Sequence, residues 1–349
     1  MTEARVLDQP TLLRTLLARQ LLLERADLPL TEAIERVGGL QTQYAPSGYV
    51  GLWTRLASFQ REDLTRALED RSVIQATLMR TTIHMVSRRE FWPYAMGVRD
   101  ARRTWALRLG QGNAGDGRAD EQTLRAGAAA IREALADGPL TVRELGDLGR
   151  GFVGNLGLWV DLVRIPPSGT WERRRADRLD LAERWVSSPD ATETEGVAHL
   201  VRSYLRAFGP APWKDIATWA GIAVADARRG GESLDLRSFQ DEAGRPLVDV
   251  RDGPIVEPDV AAPVRFLPHW DATLLVHARR TGILPERHRP TIFHTRNPFS
   301  VGTVLVDGGV AATWSLRDGR IEVTELDPIS AEDRDAVEVE REALERFHA

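Results

Sequence analysis

The sequence contains no cysteine, which excludes disulfides, thiolate metal sites, iron–sulfur clusters and cysteine nucleophiles. It contains one lysine, Lys214, so 45 of its 46 basic residues are arginine and Schiff-base chemistry has a single side-chain candidate. No apolar run approaches 18 residues, and the opening MTEARVLDQP is charged without an apolar core. A chain with no membrane association and a cytoplasmic location is therefore expected. No phosphate loop of the G-x-x-x-x-G-K-[ST] type and no G-x-S-x-G elbow occurs. What is present is 349 residues, 42% hydrophobic and 28% charged. That is the balance of a globular chain with two domains, or three to four small ones.

Net charge is −5, which alone argues against a nucleic-acid partner, but the charge is unevenly placed. Residues 321–349 carry ten acids against three arginines, leaving the first 320 residues at +2. Two zones, 80–108 and 265–296, hold seven and six arginines against two acids each. The arginine bias is equally what a GC-rich genome produces. Arginine nevertheless binds phosphate and base edges bidentately, so basic zones beside an acidic final helix suit a DNA binder with a defined footprint.

Polar, glycine-rich breaks at 110–117 and 187–192, with a weaker shift near 261–263, divide the chain into three similar blocks and a tail. Each block opens with an amphipathic helix, at 11–23, 121–136 and 195–208. Each then turns through proline, and in the first two Thr31 and Thr141 stand where an N-cap belongs. Each ends in a strand-rich segment, at 72–86, 164–181 and 236–250. Helix, helix-turn-helix and hairpin is the layout of a winged helix. The expected fold is α+β and mainly α, with units at 1–109, 118–187 and 193–260. A β-rich region at 261–349 follows and ends in a charged helix, 331–348.

Among motifs, Gly149-Arg150-Gly151-Phe152-Val153-Gly154 reads G-x-G-x-x-G, but a polar helix rather than a buried strand precedes it, so a turn is expected there. His269, His277, His288 and His294 cluster near Asp271, yet their spacing matches no metal motif and Arg279, Arg280, Arg287 and Arg289 would repel a cation. No metal and no cofactor is expected. The most unusual stretch is Gly38-Gly39-Leu40-Gln41-Thr42-Gln43-Tyr44-Ala45-Pro46. If extended, it points the carboxamides of Gln41 and Gln43 the same way, each able to donate to and accept from one water or substrate. Spacing alone favours two glutamines on an exposed turn.

The run 39–46, with Leu52-Trp53-Thr54-Arg55-Leu56, Leu78-Met79-Arg80-Thr81-Thr82-Ile83-His84-Met85-Val86, Phe266-Leu267-Pro268-His269-Trp270-Asp271 and Leu274-Leu275-Val276-His277-Ala278-Arg279-Arg280, resembles the AlkZ/YcaQ family of bacterial DNA glycosylases. The resemblance spans most of the chain. It implies three tandem winged-helix units in a C-shape plus a C-terminal β-barrel-like domain, and hydrolysis of the N-glycosidic bond of N7-alkylguanine or N3-alkyladenine in double-stranded DNA. The Gln-x-Gln form, as against Gln-x-Asp, sides with the AlkZ-like branch. That branch implies bulky or crosslinking natural-product adducts and antibiotic self-resistance, with Gln41 and Gln43 catalytic.

The chemistry is consistent with those residues. An N7-alkylpurine is cationic and leaves as a neutral base without a strong acid, so the site needs a positioned water and tolerance of positive charge. Carboxamides orient water but are not general bases, so only labile adducts should react, and lyase activity is not expected. Arg80 and His84 alternate if on one strand, and both could then face DNA; His84 paired inside the first unit is the equal alternative. His277, Arg279 and Arg280 are further DNA-binding candidates. Asp271 would hold a loop or orient Arg279, while Trp270 reads as core. A bulky adduct predicts an open cleft across the units rather than a tight base pocket, and such an array is expected to be monomeric. Two rivals remain: a non-catalytic winged-helix regulator, disfavoured by the apolar segment 155–163 where a reading helix would need polar side chains, and a protein that sequesters the alkylator.

Overall fold

Strands Val73–Thr77 and Ile83–Ser87, both rich in β-branched and apolar side chains, form an antiparallel hairpin in register from Val73↔Ser87 to Thr77↔Ile83. This hairpin lies within a six-stranded sheet in the computed structural model, which describes residues 5–112, 120–153, 156–275, 282–293 and 300–349. Leu40–Gln41 pairs with one side of the hairpin through Leu40↔Met85 and Gln41↔His84. On the other side Val73–Thr77 pairs with Leu162–Arg164, followed by Arg178–Leu181 and Leu140–Thr141. The strands of the first and second blocks thus merge into one sheet, covering edges that separate hairpins would leave open. Helix makes up 45% and strand 20%, a mixed fold with helix predominant.

In the third block the helices Glu193–Phe208, Trp213–Ala220 and Val224–Gly231 precede the hairpin Leu236–Asp241/Pro246–Val250. Thr192 and Glu195 cap the first of these reciprocally, each side chain accepting the other's backbone N–H. The N-terminal strand Val6–Leu7 runs parallel to Leu236–Asp241. Arg19, ending helix Gln9–Arg19, donates from both Nη atoms to the buried carboxylate of Asp249 and also to the Leu205 and Pro254 carbonyls. The helix expected to open the first unit therefore packs on the third, because its buried guanidinium finds its acceptors there.

Strands Arg265–Leu267, Gly302–Val306, Gly309–Arg317 and Arg320–Glu325 form an antiparallel meander. Among the described residues it is an open sheet, and no closed barrel is found where a β-barrel-like domain was expected. Its apolar face is covered instead: Phe266, Val304, Trp314 and Ile321 share a core with Val337 and Leu344 of helix Ala331–His348 and with Tyr49, Leu52 and Leu64 of the first block.

Several local expectations need correction. Thr31 lies inside helix Leu30–Arg36, with Pro29 in the cap position. Thr141 does exchange capping bonds with Glu144 as expected. The apolar segment near 155–163 is a 3₁₀ turn, Leu156–Leu158, running into strand Leu162–Arg164. Gly149 and Gly151 lie in helix Gly146–Val153, where a Cβ on Gly149 would fall 1.9 Å from the Val142 carbonyl oxygen, so this glycine serves close packing. No helix among the described residues is long and apolar enough to cross a membrane.

Candidate active site

The glycine pair at 38–39 places the Gln-x-Gln segment. Both residues have positive φ, 78° and 82°. Gly39 N–H donates to the Ile34 carbonyl and Gly38 N–H to that of Glu35, the two bonds of a Schellman stop for helix Leu30–Arg36. The chain is thereby turned directly into Leu40–Gln41, which pairs with Ile83–Ser87. Thr42 N–H continues the ladder to the Ile83 carbonyl, while Ile83 N–H is taken by Gln43 Oε1 at 3.1 Å.

Regular strand ends at Gln41, and the two carboxamides therefore stand in different surroundings. Gln43 is exposed, with its carbonyl held by the sheet. Gln41 is 8% exposed, and its Oε1 accepts from Arg80 Nη2 at 2.5 Å. Arg80 was expected on a strand alternating with His84. It lies instead in the turn Met79–Thr81, where Arg80 and Thr81 both adopt left-handed φ, 52° and 58°, so strand alternation does not reach it. Its Nη1 donates to the Trp219 carbonyl of the third block. Both acceptors are neutral, and burial lowers the Arg80 pKa to about 10. His84 is 2% exposed opposite Gln41; its Nδ1 bonds the Thr82 carbonyl at 3.0 Å. Burial, with Arg80 nearby, lowers its pKa to about 3, so the ring is neutral.

Asp271 is buried and pairs with Arg55. Arg55 Nη1 lies 2.9 Å from Asp271 Oδ2 and Nη2 donates to Oδ1 at 3.0 Å, while Thr273 N–H also donates to Oδ1. Desolvation raises the Asp271 pKa, but Arg55 and the Thr273 bonds outweigh it and the net shift is downward. Arg55 further donates to the carbonyls of Gln20 and Gly51. Together these residues tie the first block to the C-terminal region.

A narrow cavity, about the size of a single water, lies between the strand Leu40–Gln41, helix Pro46–Trp53 and the segment 268–272; Gln41, Ser47, Arg55, Trp270 and Asp271 are in its wall. Trp270, read as core from the sequence, is half-buried there. Outside, Tyr44 meets His269 edge-on at 5.7 Å and accepts a hydrogen bond from Arg174 Nη1 at 3.0 Å. Arg174 belongs to an exposed turn with Arg173 and Arg175, Arg178 opens the strand that follows, and all four line one open cleft. Ser168 Oγ pins that turn, donating to the Arg175 carbonyl and accepting from the Asp177 and Arg178 amides.

The arginine turn and Ser47 were not identified from the sequence. The run Arg173-Arg174-Arg175 was visible as a charge cluster, but Ser47 carries no sequence signal. Conversely, much of the basic zone 80–108 is engaged internally: Arg99 and Arg102 both bind Asp161, and Arg89 binds Glu35. His277, Arg279, Arg280 and His294 lie outside the described residues. Among the described residues no cluster suited to a metal occurs, and His288 bonds Asp327 at 2.8 Å.

Comparison with known proteins agrees with this architecture. Residues 34–347 match the family model for AlkZ-like DNA glycosylases. The structure is similar to that of the Streptomyces sahachiroi DNA glycosylase AlkZ, with a TM-score of 0.77 and 19% identity, covering 96% of this chain and 95% of that one. No curated protein sequence matches significantly. With a family match that takes in the Gln-x-Gln segment and nearly all of the chain, this protein belongs to the AlkZ-like DNA glycosylase family.

Proposed function

We propose that this chain is a monofunctional glycosylase that hydrolyses the N-glycosidic bond of N7-alkylguanine or N3-alkyladenine in double-stranded DNA. Bulky or crosslinking natural-product adducts are its preferred substrates, in DNA repair and self-resistance. Gln41 and Gln43 are its catalytic carboxamides, carried on the first of three winged-helix units, and the protein acts as a cytoplasmic monomer.

One observation carries this reading. Asp271 is the one carboxylate among the described residues lining the cavity beside Gln41, and both its oxygens are bound by Arg55. A carboxylate so paired is a poor proton acceptor. What remains is neutral carboxamide chemistry, sufficient only when the leaving base is already cationic. The lone lysine, Lys214, is exposed on helix Trp213–Ala220, and no lyase step is assigned to it. The cavity has room for a water rather than a purine, which favours an adduct approached from an open cleft over a base flipped into a pocket.

The test is release of base from duplex DNA carrying a single N7-alkylguanine, methyl or bulky. Wild type should release base and leave abasic sites, and Gln41→Ala with Gln43→Ala should bind DNA with the rate reduced at least about 100-fold. Tight binding to unmodified duplex without release from either adduct would leave a non-catalytic DNA-binding protein as the better description.

A further inference from the structure

Resting on the proposed glycosylase reading, we propose that Gln41 and Ser47 seat the hydrolytic water, and that Arg80 is a positioning residue that makes Gln41 a hydrogen-bond donor to it. The first observation is the direction of the Gln41 amide. A guanidinium only donates, so the Gln41 atom facing Arg80 Nη2 at 2.5 Å is Oε1, and the Nε2 hydrogens are left for another partner. Arg80 is itself held from the third block, through the Trp219 carbonyl and the close approach of Gly221, where a Cβ would lie 3.0 Å from Arg80 N. The amide is therefore fixed before substrate arrives.

The second observation is independent. Ser47, in the first turn of helix Pro46–Trp53, is 4% exposed, and its Oγ has no hydrogen-bond partner among the described residues. Leaving a buried hydroxyl unpaired is unfavourable. Ser47 and Gln41 line the same cavity, whose free space matches about one water. A water there accepts from Gln41 Nε2, donates to Ser47 Oγ and keeps a lone pair for C1′ of the damaged nucleotide. As its oxygen bonds to C1′, the bond from C1′ to the purine nitrogen breaks. The bonding pair goes to the base and cancels its alkylation charge, and one water proton passes to solvent. Because that transition state is dissociative, the water needs placing more than deprotonating.

Three variants test this, read by single-turnover base release, duplex Kd and thermal midpoint. Ser47→Ala should slow release about 10–100-fold while Kd and the thermal midpoint change little, since the hydroxyl's partner is the water and not another part of the fold. Gln41→Glu should also lose activity, because its carboxylate pairs with Arg80 and donates nothing. Arg80→Ala should lose rate rather than affinity and recover part of it with millimolar methylguanidinium. If wild type releases base and Ser47→Ala matches it, or Gln41→Glu is as fast or faster, the water seat is overturned while the glycosylase reading stands. If wild type releases no base, the reading itself fails and the inference with it.

Discussion

Burial sets the charge state of single residues throughout this protein, and Glu90 and His199 show it in opposite directions. Burial, reinforced by Glu35 and opposed by Arg89 and Arg206, raises the Glu90 pKa to about 7. Burial, with Arg202 and Arg206 adding to it, lowers that of His199 to about 4. Folded Glu90 holds its proton better than the unfolded chain does, so its contribution is complete below pH 4.5 and is lost as pH rises through 7. His199 contributes fully above its unfolded value near 6.5 and loses stability as pH falls toward 4. Between these limits the slopes oppose each other. Glu90→Gln should therefore gain on wild type by on the order of 2–3 kcal/mol between pH 4 and pH 8, measured by denaturant unfolding; a constant difference across that range would show that Glu90 does not titrate this way. The Gln-x-Gln pair was legible at this scale because its residues are unusual together. The partner of Gln41 was not, since Arg80 reaches it from a left-handed turn that strand periodicity does not describe.

At the scale of elements, helices Phe91–Gly97 and Glu193–Phe208 meet with their backbones in contact. A Cβ on Gly97 would lie 2.5 Å from the Gly196 carbonyl oxygen, and one on Gly196 would lie 2.3 Å from Gly97 N. Backbone touches backbone, so neither side can give way. Gly97→Ala or Gly196→Ala should cost about 1–3 kcal/mol despite the better helix propensity of alanine, and an alanine variant as stable as wild type would show that the helices part easily. This junction binds the first block to the third and lies in the core that also holds Trp219, whose carbonyl anchors Arg80. Element existence was readable from periodicity: the helix 331–348 and the hairpin at 236–250 occur where they were expected. A short apolar run such as 156–163 fits either helix or strand period, and pairing of its end with the first block's sheet decides for strand at Leu162–Arg164.

For the whole molecule, the question is where a duplex lies. The basic zones seen in the sequence do not map simply onto a surface, since 80–108 is partly consumed by Asp161 and Glu35. The exposed turn bearing Arg173, Arg174 and Arg175, with Arg178 at the start of the next strand, instead adjoins Tyr44, next to Gln43, and its backbone is pinned by Ser168. Among the described residues, Arg175 is the member of this group paired with an acid, Asp177 at 2.8 Å. A rigid turn of like charges facing solvent suits the phosphate backbone. Arg173→Ala with Arg178→Ala should weaken binding to unmodified duplex and reduce the salt-dependence slope by about 1–2, leaving the saturated rate of base release unchanged. An unaltered slope would put the duplex elsewhere.

The sequence by itself determined the mixed, mainly helical character, the exclusion of thiol chemistry and the Gln-x-Gln segment, because each depends on local periodicity or on residue identity. Only tertiary structure decided that Gln41 is buried and Gln43 exposed, that Arg80 turns inward, that Asp271 is bound by Arg55, and that the C-terminal strands form an open sheet covered by a helix. These follow from where a charge or hydroxyl removed from water finds a partner. For Arg80 and Asp271 that partner lies more than 100 residues away along the chain.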